Sequence, residues 1–550
     1  MKTSLIALAI ASLAAAVAGD LCGDSSATEA PNSSSSGSKP ATEAPGSSSS
    51  GDANATSLCF PSGFLFGAAT SAYQIEGGVN ATGRTPSIWD QMCQSGGGSL
   101  QCANVADDFV NRYSSDLELM TADGYGALRF SISWSRVMTW NNSTQRMEAN
   151  PEGLAFYHSL VDEMISRGIT PVLTIFHWDT PYEIYALGDF LDDSIVDHFV
   201  DFAELIFTEF GHQVKYWATI NEPLSYVQVF YMYFSGGSSD SDIYVAAHNL
   251  LLAHAAAVKR FRELQSQGSV LSDAQITLVT SGFGVPLNAS DPADVEAAER
   301  YDQFNLGWWL GPMTTGDYPA VMRERVGDRL PNFTAEQAAD VKGSYDLLMT
   351  NFYYAPLITD CASATSETNC SDLAAGWTAD IGVDSSQAPA DARISPASLA
   401  SSTSCADHFG YPPSYLDAIR WVHQQDTSAN IFLTENGWCG NETIDNQDQL
   451  WYYRTHLEQV HKAIYEEDIP VIGYMAWSFM DNYEWGSYAS RYGLYYVDYP
   501  DNIGDANLYS VASSALTRTP RSAAKFFSQV ATTGCVEVDP DDEKWLGGTA

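Results

Sequence analysis

The chain has 550 residues, of which 45% are hydrophobic and 12% aromatic, enough for a large packed core. It carries 26 basic and 68 acidic residues, a formal net charge of −42. A surface of this sign repels phosphate backbones and anionic lipid, so neither nucleic acid nor a membrane surface is an expected partner. Length alone does not decide between several domains and one large barrel with extensions.

The N-terminal residues have the features of an export signal. Lys2 supplies a positive charge, Leu5–Val17 form an apolar run, and Ala16-Val17-Ala18 is a small-residue cleavage site. We therefore predict a signal peptide over residues 1–19 and a secreted, extracellular protein. A transmembrane anchor is the alternative, but this run is shorter than the roughly 18 apolar residues that a spanning helix needs.

A low-complexity segment follows over residues 20–57. Ala27-Thr28-Glu29-Ala30-Pro31 leads into a run of serines, and the same pattern recurs from Ala41. Such Ser/Thr/Pro-rich sequence buries too little apolar surface to order itself, and it resembles an O-glycosylated stalk. We predict a disordered linker without chemistry of its own.

From residue 58 onward, apolar strand-like runs alternate with amphipathic, helix-like stretches. Helical periodicity marks Leu154–Arg167, Ile195–Glu209, Tyr244–Gln267 and Gln449–Glu467. The alternation predicts a single (β/α)8 barrel with long loop insertions over residues 58–535, and a polar C-terminal tail over 536–550. The eight predicted strands are Phe64–Thr70, Ala127–Trp134, Thr170–Trp178, Val214–Asn221, Gln275–Thr280, Asp346–Tyr354, Asn430–Glu435 and Val471–Phe479.

Two of the predicted strands end at a glutamate. Glu222 follows the fourth strand and is followed by Pro223, while Glu435 ends the seventh. Each glutamate alone is most simply a polar strand end that meets solvent. In this fold, however, the carboxyl ends of the strands form one active-site rim. Two carboxylates at one rim favour hydrolysis of a glycosidic bond.

Other polar and aromatic side chains fall at the same predicted rim. A buried Arg129 needs a carboxylate partner, which Glu435 could supply. His177 alone is more often a core histidine than a functional one, but beside other polar rim residues it fits a hydrogen-bond donor to a sugar hydroxyl. The remaining rim residues are Gln74, Trp178, Asn221, Asn351, Tyr353, Trp477, Glu484 and Trp485.

Seven sequence motifs resemble those of glycoside hydrolase family one, the β-glucosidase family. They occur in family order along nearly the whole of residues 60–530. They are Phe64 to Gly77, Leu128-Arg129-Phe130-Ser131-Ile132-Ser133-Trp134, Phe176-His177-Trp178-Asp179, Thr219-Ile220-Asn221-Glu222-Pro223, Gly316-Asp317-Tyr318-Pro319, Thr434-Glu435-Asn436-Gly437 and Trp477 to Trp485.

The resemblance implies a retaining β-glycosidase that works by double displacement. Glu435 takes the position of the nucleophile and Glu222 that of the acid/base. Arg129 and Tyr353 are then expected to favour the charged form of Glu435, together with Asn351 as a supporting residue. The implied substrate-binding residues are Gln74, His177, Trp178, Asn221, Tyr353, Trp477, Glu484, Trp485 and Tyr492, with Trp477 as a stacking floor, and Tyr492 fits a structural role nearly as well.

The residues present also bear on the substrate. A carboxylate at Glu484 accepts bonds from neutral sugar hydroxyls and repels a 6-phosphate, so we expect small neutral β-glycosides. The acid Glu222 is present, which implies O-glycosides. No cysteine or histidine spacing indicates zinc, and the chemistry needs no metal and no cofactor. A transglycosidase and a catalytically silent sugar-binding barrel stay open as alternatives, as do the preferred sugar and the oligomeric state.

One segment departs from the common family pattern. Asp360 to Asp407 form a long insertion after the sixth strand, which either shapes the leaving-group pocket or decorates the surface.

Export makes disulfides plausible among the nine cysteines. Cys93/Cys102 and Cys361/Cys370 are possible loop bridges, and the pairing of Cys59, Cys405, Cys439 and Cys535 is open, with Cys22 left over.

Overall fold

Eight parallel strands close into a barrel in the computed structural model. Each strand pairs with its neighbours in sequence, as the fifth does with the sixth. The structure describes residues 57–95, 100–234, 240–362, 376–395, 405 and 408–545. The predicted signal peptide, nearly all of the predicted linker, and Cys370 lie outside these ranges. The barrel strands are β1 (Leu65–Ala69), β2 (Ala127–Ser131), β3 (Thr170–Phe176), β4 (Tyr216–Asn221), β5 (Gln275–Thr280), β6 (Leu348–Phe352), β7 (Ile431–Asn436) and β8 (Val471–Trp477).

The strands are apolar because helices cover the outside of the barrel and side chains fill its inside. β2 and β7 are buried at every position. The helix Ile195–Phe210 shows the matching pattern, since Phe199, Phe202 and Ile206 recur at helical spacing and are fully buried. The (β/α)8 prediction is confirmed, and each of the eight predicted strands overlaps an observed one, with the seventh ending one residue later than predicted, at Asn436.

Several predicted strands extend past the observed ends for a local reason. The second was predicted to reach Trp134, but Trp134 begins the helix Trp134–Val137. The third was predicted to reach Trp178, whose φ of 69° lies in the left-handed region and cannot continue a strand. Trp178 lines the site instead of extending the sheet, while Trp134 packs on Phe202 in the core.

Helices connect the strands, and short strand pairs decorate the loops. The α-helices are Ala72–Ile75, Ile88–Ser95, Phe109–Ala122, Trp134–Val137, Pro151–Ser166, Tyr182–Ala186, Ile195–Phe210, Pro223–Val227, Asp242–Ser266, Pro292–Asp302, Trp308–Thr315, Ala320–Val326, Ala335–Val341, Trp377–Ile381, Pro413–Gln425, Gln447–Tyr465 and Ser522–Thr533. The π-helical and 3₁₀ segments are Gln228–Phe234, Gln303–Gly307, Asp189–Leu191, Gly327–Arg329 and Pro540–Trp545. The strands outside the barrel are Ser57–Cys59, Cys535–Glu537, Met138–Asn141, Arg146–Ala149, Val285–Pro286, Leu357–Asp360, Val383–Gln387, Arg393–Ile394, Phe409–Gly410, Tyr495–Val497 and Arg518–Pro520.

Disulfides tie the chain ends and the loops to the barrel. Cys59 bonds Cys535 where the first and last described strands pair, and Cys93 bonds Cys102. Cys405 bonds Cys439, which connects the long insertion to the loop after β7. Cys361 is also disulfide-bonded.

The first residues of the predicted polar tail pack against the barrel. Val536 pairs with Leu58 in the terminal two-stranded sheet. Trp545 is buried against Tyr411 and Trp451. Among the helices that the structure describes, none is both long and apolar enough to cross a bilayer.

Candidate active site

A cavity of about 470 Å³ opens at the carboxyl ends of the barrel strands. Residues that lie far apart in sequence meet there because parallel strands present their carboxyl ends at one face. The lining includes His177, Trp178, Asn221, Glu222, Asn351, Tyr353, Glu435, Trp477, Glu484, Trp485 and Tyr492. This face of the barrel is therefore the candidate active site.

Both predicted catalytic glutamates lie in this cavity and are buried. Glu435 is the penultimate residue of β7. Glu222 directly follows β4, where its N–H donates to the Val279 carbonyl at 2.9 Å. Its φ of 42° is unusual for a side chain other than glycine, and such backbone strain is typical of functional positions. Pro223 then begins a helix, so the chain turns sharply at the carboxylate.

Glu435 is held by one cation and one hydroxyl. Arg129 on β2 forms a fully buried ion pair with its Oε1 atom. The Tyr353 hydroxyl donates to Oε2 at 2.6 Å. Burial raises the pKa of Tyr353 well above 10, with the charge of Glu435 adding to the rise, so this hydroxyl keeps its proton. Both contacts favour the charged carboxylate.

The net pKa of Glu435 nevertheless rises. Burial raises it to about 7, with a contribution from the charge of Glu222, while Arg129 and Tyr353 lower it. From the sequence, we expected these two residues to favour the ionised form of Glu435. They act in that direction, but the loss of solvation outweighs them.

Arg129 fixes the orientation of the hydrogen bonds across the site, because a guanidinium only donates. It donates to Asn221 Oδ1 at 2.7 Å, so the Asn221 amide nitrogen must face His177 Nε2, 3.1 Å away. The carbonyl Oδ1 of Asn221 also accepts from Asn351 Nδ2 at 3.2 Å. The Asn351 amide nitrogen in turn donates to Glu222 Oε1 at 2.6 Å. A chain of oriented bonds thus joins the two glutamates.

The same orientation fixes the tautomer of His177. Nε2 accepts from Asn221, so in the neutral ring the proton lies on Nδ1. Burial lowers the pKa of His177 well below its usual value, and the Arg129 charge adds to the effect. Nδ1 is enclosed by the protein and has no hydrogen-bond partner among the described residues. His177 therefore belongs to the cavity wall as a neutral ring.

Glu484 also lines the cavity and is held by Gln74. Gln74 Nε2 donates to Glu484 Oε2 at 3.2 Å and to the Tyr483 carbonyl at 3.0 Å. Burial raises the pKa of Glu484 to about 8, and the charges of Glu435 and Glu222 add to the rise. The oxygens of this carboxyl can accept hydrogen bonds from the hydroxyls of a ligand.

Aromatic rings form the walls. Trp178 stacks on Trp485 with 4.6 Å between ring centroids, and its indole N–H donates to the Asn221 carbonyl at 2.8 Å. The Trp477 ring lies nearly parallel to His177. Tyr492 meets Tyr353 edge-on at 5.7 Å. Flat apolar faces of this kind suit the C–H surfaces of a sugar ring.

The long insertion forms part of the cavity wall. Its helix Trp377–Ile381 and strand Val383–Gln387 both contribute lining side chains. The strand pairs with Leu357–Asp360, which follows β6, so the insertion is built onto the barrel rim. Of the two interpretations of this segment, the one that shapes the pocket agrees with the structure.

The structure brings the predicted site residues together, with two of them behind the lining. Arg129 and Gln74 are fully buried outside the lining, where Arg129 contacts the lining residues Glu435 and Asn221 and Gln74 contacts Glu484. Gln74 was predicted to bind substrate, but its amide is already engaged by protein groups, including Asn482 Oδ1 at 3.0 Å. In the described part of the chain, no group of three or more His, Cys, Asp or Glu side chains is placed to hold a metal ion.

Sequence reasoning missed some residues of the site. Ser225 Oγ donates to Glu222 Oε2 at 2.8 Å. The sequence shows that Ser225 lies three residues after Glu222, but it does not show the left-handed backbone of Glu222 that brings the two side chains together. Thr434 Oγ1 donates to Asn351 Oδ1 at 2.7 Å and so supports the orientation of that amide.

Replacement of Tyr353 by Phe is expected to move the acidic limb of the kcat/KM profile upward by about 0.5–1 pH unit. Tyr353 lowers the pKa of Glu435, so its removal raises that pKa. Ionised Glu435 is then lost at a higher pH as the solution is acidified. Glycosidase rates measured from pH 3 to 9 check this. Tyr492→Phe removes no donor to Glu435, and an equal shift in that variant would contradict the explanation.

Known proteins match this chain over most of its length. The profile of Glycosyl hydrolase family 1 matches residues 56–535. "Beta-glucosidase 26, peroxisomal" of Arabidopsis thaliana is 36% identical over 476 residues, 81% of this chain and 82% of that protein. Furcatin hydrolase of Viburnum furcatum is 36% identical over 469 residues, 81% and 84% of the two chains.

Solved structures agree with these sequences. A mutant of the rice Os3BGlu6 β-glucosidase, in a covalent complex with Glc, has a TM-score of 0.74 and 32% identity over 85% of this chain and 98% of that one. The barrel, the site and these similarities define an O-glycoside hydrolase of the retaining β-glucosidase type. The chain belongs to glycosyl hydrolase family 1.

Proposed function

We propose that this protein is a secreted β-glucosidase that releases terminal, non-reducing β-D-glucosyl residues by double displacement. The proposal rests on one observation, which is that the two carboxylates in the cavity have different surroundings. Glu435 is bound by Arg129 and Tyr353, which prepare it as a nucleophile. Glu222 is bound only by neutral groups, which suits a residue that gains and loses a proton.

In the first step, Glu435 attacks the anomeric carbon and the glycosidic bond breaks. Glu222 gives its proton to the departing oxygen, and a covalent glycosyl ester forms on Glu435. Asn221 lies between both glutamates, with its Oδ1 atom held by Arg129. It is placed to contact the sugar 2-hydroxyl, where a hydrogen bond strengthens as positive charge develops on the anomeric carbon.

In the second step, water replaces the leaving group. Glu222, now ionised, takes a proton from the water as its oxygen attacks the anomeric carbon, and the ester bond to Glu435 breaks. Glu222 is protonated again and Glu435 is released as a carboxylate. Two inversions give a β-configured product.

The charge of the cavity supports a neutral substrate. Its described lining holds three glutamates and neither Lys nor Arg. Arg129 lies behind the lining and is paired with Glu435. A phosphorylated or carboxylated sugar would find no Lys or Arg in this lining to pair with its charge, which disfavours its binding.

The insertion supports a neutral leaving group as well. Apolar and hydroxyl-bearing side chains face the cavity from this segment, and no charged side chain among its described residues does. Such a wall suits aromatic alcohols and short oligosaccharides. The lining residues from the insertion are Trp377, Thr378, Ile381, Val383, Ser385, Ser386, Gln387, Ala388 and Ile394.

Export is supported by sequence and by the loop positions of modification motifs. Disulfides persist in oxidising compartments, and the structure contains bonded cysteines at both ends of the barrel domain. Asn-X-Ser/Thr motifs fall on exposed or half-buried loops, turns or strand ends, where a glycan has room. Those within the described residues are Asn80, Asn141, Asn142, Asn288, Asn332 and Asn441.

The function is tested with a panel of p-nitrophenyl β-glycosides that differ only in the sugar. We expect the β-glucoside to be hydrolysed and the 6-phospho-β-glucoside to react at least about 100-fold more slowly, because of the charge of the cavity. Two aryl β-glucosides of matched leaving-group acidity, one neutral and one carboxylated, test the leaving-group side. No turnover by folded protein would favour a silent sugar-binding barrel, and glycosyl transfer to added alcohols in preference to water would favour the transglycosidase.

A further inference from the structure

We propose that Ser225 is a positioning residue that holds the catalytic proton site of Glu222 and stabilises its ionised form for the second step. The proposal rests on the assignment of Glu222 as acid/base. The Ser225 hydroxyl donates to Glu222 Oε2 at 2.8 Å. It belongs to the helix Pro223–Val227 and lines the cavity beside the carboxylate.

The network from Arg129 decides which oxygen of Glu222 carries the proton. Asn221 Oδ1 faces Arg129, so Asn351 Nδ2 faces Asn221 and donates to Glu222 Oε1. An amide nitrogen is only a donor, so Oε1 is always an acceptor there. The proton of the acid form therefore lies on Oε2, the atom that Ser225 contacts.

A hydroxyl is suited to this position because it both donates and accepts. When Glu222 is protonated, Ser225 can accept from the Oε2 proton until the glycosidic oxygen replaces it. When Glu222 is ionised, Ser225 donates to Oε2, and a hydrogen bond to a charged oxygen is the stronger of the two. Ser225 thus accommodates both protonation states but favours the ionised one.

The backbone at Glu222 brings Ser225 to this place. The left-handed conformation of Glu222 turns the chain out of β4, and Pro223 begins the helix at once. The Tyr226 N–H donates to the Glu222 carbonyl at 3.1 Å, which closes the first helical turn. Side chains three residues apart on a helix lie on one face, so Ser225 lies next to the carboxylate. Ser225 is only half-buried, so tight packing does not explain a serine here.

The first test is the pH profile of kcat/KM for Ser225→Ala. Loss of the donor should move the alkaline limb upward by about 0.5–1 pH unit, because Glu222 then keeps its proton to a higher pH. Ser225→Thr retains the hydroxyl and should restore the limb. The titratable groups whose charges act on Glu222 are unchanged in these variants. Among the described residues they include Glu435, Glu484, Tyr353 and Tyr492.

The second test separates the two chemical steps with 2,4-dinitrophenyl β-glucoside, whose leaving group needs no proton. In Ser225→Ala the burst rate should stay within about twofold of the parent, while the steady-state rate falls about tenfold, because the second step needs Glu222 as a base and its Oε2 atom is then no longer held in place. Ser281→Ala is the matched change for a serine that lines the same cavity, and it should not move the alkaline limb.

The outcomes separate this inference from the function on which it rests. A parental alkaline limb and steady-state rate in Ser225→Ala would overturn the role of Ser225, and so would a Thr variant that behaves like Ala. If Glu222→Gln kept parental activity on substrates with poor leaving groups, the acid/base assignment itself would fall. Parental Ser225→Ala together with inactive Glu222→Gln would reject only the inference made here.

Discussion

Glu435→Ala loses hydrolytic activity by roughly 10⁴-fold or more, because it removes the carboxylate that forms the glycosyl ester. Glu435 is the carboxylate that both Arg129 and Tyr353 bind. Steady-state rates with p-nitrophenyl β-glucoside measure the loss. Glu324→Ala is the matched control, since Glu324 is exposed on a surface helix and should keep parental rates.

The Ala variant also allows a rescue that identifies the role. Azide can enter the space of the missing carboxylate and attack an activated β-glucoside from the same face, which gives an α-glucosyl azide. A β-glucosyl azide, or parental activity without azide, would contradict the assignment of Glu435 as nucleophile.

Loss of Glu435 has a cost in stability that must be measured beside activity. Arg129 is fully buried, and removal of the partner of a buried charge typically lowers the free energy of unfolding by about 3–5 kcal/mol. Glu435→Gln keeps the volume and one acceptor oxygen, so it should lose less stability than Glu435→Ala. Because the Gln variant is equally unable to form the ester, inactive but folded Gln protein separates catalysis from folding.

Glu222→Gln loses activity in proportion to how much the leaving group needs a proton. For alkyl glucosides and disaccharides the loss in kcat/KM should be about 10²–10⁴-fold, the usual contribution of a general acid. For 2,4-dinitrophenyl β-glucoside, kcat/KM should stay near the parental value, because that leaving group departs as an anion.

The second step gives the complementary result for Glu222→Gln. The glycosyl ester should accumulate, and azide should accelerate turnover with a β-glucosyl azide as product, opposite to the product from Glu435→Ala. Equal losses for good and poor leaving groups would contradict a proton-transfer role for Glu222. Gln keeps an acceptor for Asn351, so the hydrogen-bond network is largely retained.

The barrel was predictable because its strands are buried on both faces. Such strands appear in the sequence as short, continuous apolar runs. The two glutamates were predictable because each stops such a run, and the fold places strand ends together. The pairing of Arg129 with Glu435 also followed from the need of a buried cation for a carboxylate.

Contacts set by loop conformation were not predictable in the same way. Ser225 meets Glu222 only because the backbone of Glu222 is left-handed, a conformation that a glutamate does not signal. Trp377 reaches the cavity through an insertion without a repeating pattern. The raised pKa of Glu435 depends on how completely solvent is excluded, which sequence does not give.

The direction of each hydrogen bond in the site is a further property that only the assembled structure shows. Arg129 donates to both Glu435 and Asn221, and from there each amide and ring has one allowed orientation. His177 is left with its proton on Nδ1 and Glu222 with Oε2 as its proton site. One buried cation therefore orients the side chains around both glutamates.

The most direct test of the central claim is to trap the covalent intermediate. A 2-fluoro-2-deoxy-β-glucosyl fluoride reacts through the first step, but the fluorine slows the second, so the sugar should stay bound to the enzyme. Peptide mass spectrometry of the inactivated protein should then locate one 2-fluoroglucosyl group on Glu435. A label on another residue would contradict the assignment of the nucleophile. The absence of any label, together with an α-configured first product from a reactive β-glucoside, would contradict double displacement itself.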